Sequence, residues 1–391
     1  MENPKENIVD KIYKLRKNFV IIGLTGRTGS GCTTVAKILQ TQHPEEFKTE
    51  YREINTDPIN NDVRKNRIIY RYILKNWSPF TVVKASDIIF FYALLQSFDE
   101  FSKSLANSSN KEDGDGKFSE SSTAHSNEIL QDLDKVKDKF EELSVIAKDC
   151  NHFLGTESKD YSKVDIDKFI KLILEDIPDF REELAKALEK SKKILSNELQ
   201  TWGNNIRVYD SIVGSNQDNQ SEHAPSCLAR KINQFIKLIR DHNKRDGNPT
   251  LIAIDALRNP YEVLYFRERY AAFYLMSINT TEQIRKQKLF EQGYRNDEIK
   301  RLDEREGVKK EFKSQYTGLD IDKCIELSDI HITHDGTEYT NNRKLTNQII
   351  TYISLMLHPG LVPPSPIERV MQVAYTAKLN SGCLSRQVGA A

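Results

Sequence analysis

Residues 19–357 predict an α/β fold, a parallel sheet with helices on both faces, and three observations predict it. Phe19–Leu24 and Leu251–Ile254 are short apolar runs rich in β-branched residues, as strands buried on both faces are. Longer segments of helical periodicity alternate with such runs, and that alternation builds parallel sheets. Gly26, Gly29 and Gly31 follow the first run and lead directly into a helix-forming stretch, Cys32–Gln42.

A strand, a glycine loop and a helix N-terminus make a phosphate cradle. The glycines turn backbone N–H groups toward an anion, and the helix end adds partial positive charge. Gly26-x-x-x-x-Gly31 has the Walker A spacing, and Thr33 holds the hydroxyl position that touches Mg²⁺ in such loops. Gly26, Arg27, Thr28, Gly29, Ser30, Gly31, Cys32, Thr33 and Thr34 are therefore the candidate nucleotide-binding residues. Cys32 stands where the motif has lysine, which removes the point charge on the β- and γ-phosphates. Phosphoryl transfer relies on charge stabilisation, so the loop suits binding better than fast transfer. The apolar run Leu251–Ile254 ends in Asp255, a Walker B pattern whose carboxylate would share Mg²⁺ with Thr33.

Taken in order, residues 1–18 predict a charged lead-in helix. His43-Pro44 ends the loop helix, because proline disfavours helical geometry in the residue before it. Tyr51–Ile54 predicts a second strand; Asp62–Lys75 and Ser86–Phe98 predict helices. Asp57 and Asp87 are candidates to face a nucleotide or, more simply, to cap helices. Residues 103–127, rich in Ser, Asn, Gly and Asp, predict a mobile surface loop. Residues 128–200 predict a helical insertion. Ile129, Leu133, Val136, Phe140 and Leu143 form a narrow apolar seam, and Val164–Leu199 supplies a second helical region. The two suggest an antiparallel arm, either packing on its own chain or meeting a partner. Ile206–Tyr209 predicts a short strand, Leu228–Asn243 a helix, Ala271–Ile278 a strand, Thr280–Lys310 a charged helical region, Asp329–Thr333 a last strand and Asn341–Leu357 a helix. Arg285, Arg301 and Arg305 in the charged region read most simply as surface arginines.

Lys plus Arg equals Asp plus Glu, 57 each, so no global field draws nucleic acid to the chain. Five scattered cysteines without a Cys-x-x-Cys pair suit a reducing cytoplasm. No apolar run approaches the ~20 residues of a membrane span. His358–Pro364 reads as a boundary, leaving 1–358 as one domain and 359–364 as a linker. Ser365-Pro366-Ile367-Glu368 is a capping box that starts a new helix, with a strand expected to begin near Ala391.

Several of these stretches carry resemblances. Asp255-Ala-Leu-Arg-Asn-Pro, Ala271–Asn279 and Asp329–Gly336 resemble the C-terminal half of small-molecule nucleotide kinases with a P-loop. Such kinases close a basic lid over the phosphates, so the resemblance makes Arg285, Arg301 and Arg305 candidate phosphate ligands. Ser365-x-x-Glu368-Arg369-x-Met371-x-x-Ala374-x-x-Ala377, then Ser381-x-Cys383-x-x-Arg386-Gln387-Val388-Gly389-Ala390, resembles the opening of the zinc-dependent deoxycytidylate deaminase domain. Together with Leu24-Thr-Gly-Arg-Thr-Gly-Ser-Gly-Cys-Thr-Thr34, the chain resembles the two-domain antiviral deoxycytidylate deaminases of bacteria.

The resemblance implies conversion of dCMP and dCTP to their uridine counterparts, depleting deoxycytidine nucleotides during phage infection. It also implies Zn²⁺ in the deaminase domain and, as in some members, a small RNA that holds the enzyme inactive. A cytoplasmic homo-oligomer is expected. An NTP or dNTP with Mg²⁺ is expected at the loop. Zinc deaminases need His-x-Glu and Pro-Cys-x-x-Cys. The chain has His43-Pro44-Glu45 at the end of the loop helix, a chance match, and no Pro-Cys-x-x-Cys. The zinc ligands and the general acid/base Glu are thus expected beyond Ala391, and these 391 residues alone are expected not to deaminate. Arg386 is a candidate contact to a substrate phosphate. Two other readings stand beside this one. One is a nucleoside or nucleotide kinase whose missing lysine is replaced by Arg27 or Lys37; the other is a non-enzymatic scaffold binding RNA or protein.

Overall fold

A computed structural model describes residues 17–49, 61–109, 120–154, 163–188, 192–214, 220–306, 318–336, 342–383 and 387–391, together with Tyr13 and Tyr51. Asp57, Arg386, residues 1–12 of the lead-in and residues 52–54 of the expected second strand lie outside the described residues, as do 110–119 of the expected loop.

Five strands form one all-parallel sheet: β1 (Phe19–Thr25), β2 (Thr81–Lys84), β3 (Thr250–Asp255), β4 (Phe273–Asn279) and β5 (Ile330–Thr333), in the order β2-β3-β1-β4-β5. The helices are α1 (Cys32–Leu39), α2 (Asn61–Asn76), α3 (Ala85–Ala93), α4 (Phe98–Ser109), α5 (Glu120–Asp134), α6 (Lys137–Cys150), α7 (Lys163–Lys171), α8 (Ile177–Ala187), α9 (Lys192–Tyr209), α10 (Cys227–Arg245), α11 (Pro260–Arg269), α12 (Glu282–Glu291), α13 (Asn296–Glu306), α14 (Ile321–Glu326), α15 (Arg343–Leu357) and α16 (Pro366–Leu379). None of the described helices is long and apolar enough to cross a membrane.

Side chains alternate across the sheet, so each strand feeds two cores. Val20, Ile22 and Leu24 pack with Val35 and Leu39 of α1, Ile69 and Ile73 of α2, and Ile349 and Ile353 of α15. Ile21, Val83, Ile252, Ile254 and Leu275 point the other way. There they join α3, α10 and α11 and, without a break, the inserted helices α5 to α9. The insertion therefore packs on its own chain. The seam residues Ile129, Leu133, Val136, Phe140 and Leu143 are all buried in this second core. Phe101 of α4 lies 4.6 Å from Phe140 of α6, and Phe90 of α3 lies 5.9 Å from Phe180 of α8, centroid to centroid. A π-helical segment, Leu172–Asp176, joins α7 to α8. It precedes Pro178, whose missing N–H is tolerated where the helical ladder already slips.

Several expectations change. β2 was not anticipated; only four residues long, it pairs on one side with β3. Ile206–Tyr209 is the last turn of α9, not a strand; Ile206 is fully buried on the apolar stripe that continues from Leu195, Leu199 and Trp202. The expected loop 103–127 is helical at both ends, in α4 and α5. Its charged and polar residues hide a helical register that tertiary packing selects. Beyond α16 the described residues 380–383 and 387–391 form no strand. α16 has its capping box, with the Ser365 and Glu368 side chains bonded to each other's backbone N–H, but buries none of its residues.

Candidate functional site

β1 and β3 lie side by side, with Leu24 in register with Asp255. After β1 the chain turns to α1 on one face; after β3 it turns to α11 on the other, where Val263 and Phe266 are buried. Adjacent strands whose helices leave to opposite faces open a crevice at their C-terminal ends, where α/β proteins place ligands.

The glycine loop fills one lip of that crevice. Arg27, Thr28, Gly29, Gly31, Cys32, Thr33 and Thr34 line a cavity of about 360 Å³ together with Asp255. Gly26 and Ser30, also expected here, sit behind it; a Cβ on Gly26 would lie 2.7 Å from the Ile278 carbonyl, and Ser30 is buried. Gly31 is the N-cap of α1 at φ 114°, left-handed, and a Cβ there would meet His334 Nδ1 at 2.6 Å. Only glycine fits. α1 has no capping side chain and no acid in its first turn, so its terminal N–H groups remain for an incoming anion.

Thr33 Oγ1 donates to Asp255 Oδ2 at 3.4 Å. The two residues assigned from sequence to Mg²⁺ thus meet across the crevice, a hydroxyl and a carboxylate being the hard oxygen donors this ion selects. Burial pushes the Asp255 carboxyl above its ordinary range, with Arg258, Lys84 and Thr33 opposing. The residues that would hold zinc are a different matter. Among the described residues no group of three or more His, Cys, Asp or Glu side chains converges on a metal position, and zinc does not fit them. His43 precedes a short 3₁₀ turn after the loop helix, and Glu45 lies within it.

Cys32 is buried, its Sγ 3.8 Å from Ser30 Oγ, and burial raises its thiol to about 12. A neutral thiol neither neutralises phosphate nor reacts readily. Cys150, Cys227 and Cys324 are also buried and their thiols raised for the same reason, whereas Cys383 is exposed. Maleimide at pH 8 is therefore expected to label Cys383 alone in the native chain and all five thiols in denaturant. Rapid native labelling of Cys32, located by peptide mass, would show that the loop is open.

The arginines expected as phosphate ligands behave differently. Arg285 is a buried anchor: Nη2 bonds Asp303 at 2.7 and 2.8 Å, Nε and Nη2 both reach Glu282 at 2.9 Å, and Nη1 donates to the Thr28 carbonyl at 3.4 Å. Its donors are committed to carboxylates and to the back of the loop. Arg301 lies exposed on α13, and Arg305 is on the same helix. Arg27 pairs with Asp322 at 3.0 Å and still lines the cavity; Lys37 lines a separate depression on the far side of α1. Asp87 caps nothing. It is buried in the first turn of α3 and ion-paired with Arg181 of α8.

Sequence reading missed Arg258 and Glu306. Arg258 Nη1 bonds Thr28 Oγ1 and Glu306 Oε1, both at 3.0 Å, and lines the cavity beside Asp255. Glu306 accepts from the Thr28 N–H at 3.2 and 3.3 Å and from the Thr28 hydroxyl. The spacing Asp255-x-x-Arg258 was the only local signal; Glu306 reaches the loop from 278 residues away. Lys288 on α12 also lines the cavity, with Nζ 3.0 Å from His334 Nδ1, itself 3.1 Å from the Ser30 carbonyl.

Fold and site together give an α/β chain with an all-parallel sheet and a glycine-rich loop at a strand-order switch. Comparison with family models, with curated proteins and with solved structures gives no match.

Proposed function

We propose that this chain is the nucleotide-binding, regulatory portion of a deoxycytidine-nucleotide deaminase, converting dCMP and dCTP to dUMP and dUTP in antiviral defence. One observation carries the nucleotide half of this reading. The uncapped N-terminus of α1 opens on the place where Thr33 and Asp255 meet at 3.4 Å, while buried Cys32 replaces the cation of a transferase loop. Such a pocket binds a triphosphate with Mg²⁺ and leaves its bonds intact, as a sensor requires. The deaminase half rests on the resemblance of Ser365–Ala390, and with it come Zn²⁺ bound by ligands outside these residues, a cytoplasmic homo-oligomer and an inhibitory small RNA.

For the ligand to regulate, it must bind the active and inactive states with different affinity. The test is deamination of dCMP and dCTP by the full-length gene product, with and without Mg²⁺ and each NTP and dNTP. A rate that changes several-fold with one nucleotide, and no longer changes in a Gly31→Val protein, is the expected result. Deamination indifferent to every nucleotide overturns the regulatory reading; no deamination at all overturns the enzymatic one.

A second reading, phosphoryl transfer to a nucleoside or nucleotide, draws on Lys288, which brings an ammonium to the cavity from α12 in place of the loop lysine. Transfer of label from γ-labelled ATP to deoxynucleosides or deoxynucleotides, lost in Lys288→Met, would favour it.

A further inference from the structure

The rim of the cradle already holds an anion, and the protein supplies it. The Glu306 carboxylate accepts the Thr28 N–H on both oxygens, at 3.3 and 3.2 Å, and also accepts from the Thr28 hydroxyl. Arg258 Nη1 closes the arrangement, 3.0 Å from Glu306 Oε1 and 3.0 Å from Thr28 Oγ1. A loop N–H, a hydroxyl and a guanidinium around one carboxylate are the donors that a phosphate oxygen would take. The Glu306 side chain is only 2% exposed, so these donors, and not water, compensate its burial.

The same helix holds Thr28 from its other side. Asp303, one turn before Glu306 on α13, binds Arg285, whose Nη1 donates to the Thr28 carbonyl at 3.4 Å. The N–H, hydroxyl and carbonyl of one loop residue are thus tied, directly or through Arg285, to the end of α13. The neighbouring pair Arg27–Asp322 is of another kind: its side chains are 44% and 54% exposed, and water screens it. Thr28 and Arg258 line the same cavity as Gly31, Thr33 and Asp255. One N–H and one Nη1 cannot serve a carboxylate and a phosphate together, and two anions sharing them repel.

We propose that Glu306 is an internal competitor for the last phosphate of a bound nucleotide and sets the choice between di- and triphosphates. A diphosphate seated on the α1 N-terminus, with Mg²⁺ at Thr33 and Asp255, leaves Glu306 in place. A third phosphate extends to Thr28 and Arg258 and must expel the carboxylate. Arg258 then passes from Glu306 to the phosphate. The end of α13 loses the Thr28 N–H and hydroxyl, while Arg285 keeps the carbonyl. The proposal rests on the reading of the cradle as a nucleotide site and deepens it. The third phosphate is the part that is sensed, because it alone moves the carboxylate.

Calorimetry in Mg²⁺ with pyrophosphate, tripolyphosphate, ADP and a non-hydrolysable ATP analogue tests the role of Glu306. Glu306→Gln keeps the shape and an acceptor for the Thr28 N–H and removes the charge. It should raise affinity for both three-phosphate probes at least about 10-fold and change that for the two-phosphate probes little. Hydrogen exchange on the native chain covers the case in which the variant does not fold. Peptides from α13 should lose protection with the ATP analogue and keep it with ADP. Equal changes for both classes of probe, or no change for either, overturn the competition and leave the cradle standing; so does an α13 equally protected by both nucleotides. Failure of every probe to bind native and variant protein alike overturns the cradle as well.

Discussion

Arg285→Met is expected to destabilise the protein by about 3 kcal/mol, the low end for removing one partner of a buried ion pair. The side chain is almost wholly enclosed, at 2% exposure, yet Asp303 and Glu282 are 31% and 50% exposed. Water can therefore take over part of what the guanidinium gave them. The local effect is larger. Arg285 Nη1 holds the Thr28 carbonyl, and its Cγ would lie 3.3 Å from a Cβ on Gly29, so its stem is the floor of the loop. Without that floor the cradle loses its fixed N–H directions, and triphosphate affinity should fall at least about 10-fold. Arg285→Lys should recover little, because an ammonium cannot bridge two carboxylates and a carbonyl as a planar fork does. Urea unfolding and calorimetric titration measure the two effects. A variant with native stability and native affinity would show that the loop holds its shape unaided.

Asp255→Asn is expected to separate stability from binding. Burial raises the Asp255 carboxyl, and a raised acid favours the folded state while protonated. That contribution is complete below the unfolded value and is lost as pH rises through the higher folded value. Above that window the ionised group works against the fold, and there the amide, which still accepts from Thr33, should be at least as stable as the native protein. It should also gain less stability on acidification through that window. Mg²⁺-dependent nucleotide binding should fall about 10- to 100-fold, a loss seen even for groups one step removed from a metal. Binding measured in EDTA should change little. Unchanged affinity in Mg²⁺ would remove Asp255 from the metal site.

The frame of the site was legible because it is local. Strand, glycine spacing and helix start lie within Phe19–Thr34, and the run ending in Asp255 reads the same way. The structure adds that the two segments are neighbours, in the register Leu24 with Asp255. What escaped is carried by long-range pairing. Thr81–Lys84 is too short for its period to speak, although Thr-Val-Val is strongly β-branched. Ile206-Arg-Val-Tyr209 has strand-like composition but continues the stripe of Leu195, Leu199 and Trp202, and packing overrules propensity there. For Arg285 only Glu282, three residues before it, is a local partner; Asp303 and the Thr28 carbonyl, which make it an anchor of the loop, lie 18 and 257 residues away. Glu306 gave no signal of any kind.

Ile21, Val83, Ile252, Ile254 and Leu275 are covered by α3, α10, α11 and α14, and the stretch between α4 and α10 packs against α3 and α10 from outside. That stretch is thus no detachable ornament. A lineage could lengthen its loops or repaint its outer side, but excising it would bare the outer faces of α3 and α10, the helices that roof one side of the platform. Acquiring the extra helices and keeping the platform were, from then on, a single evolutionary commitment.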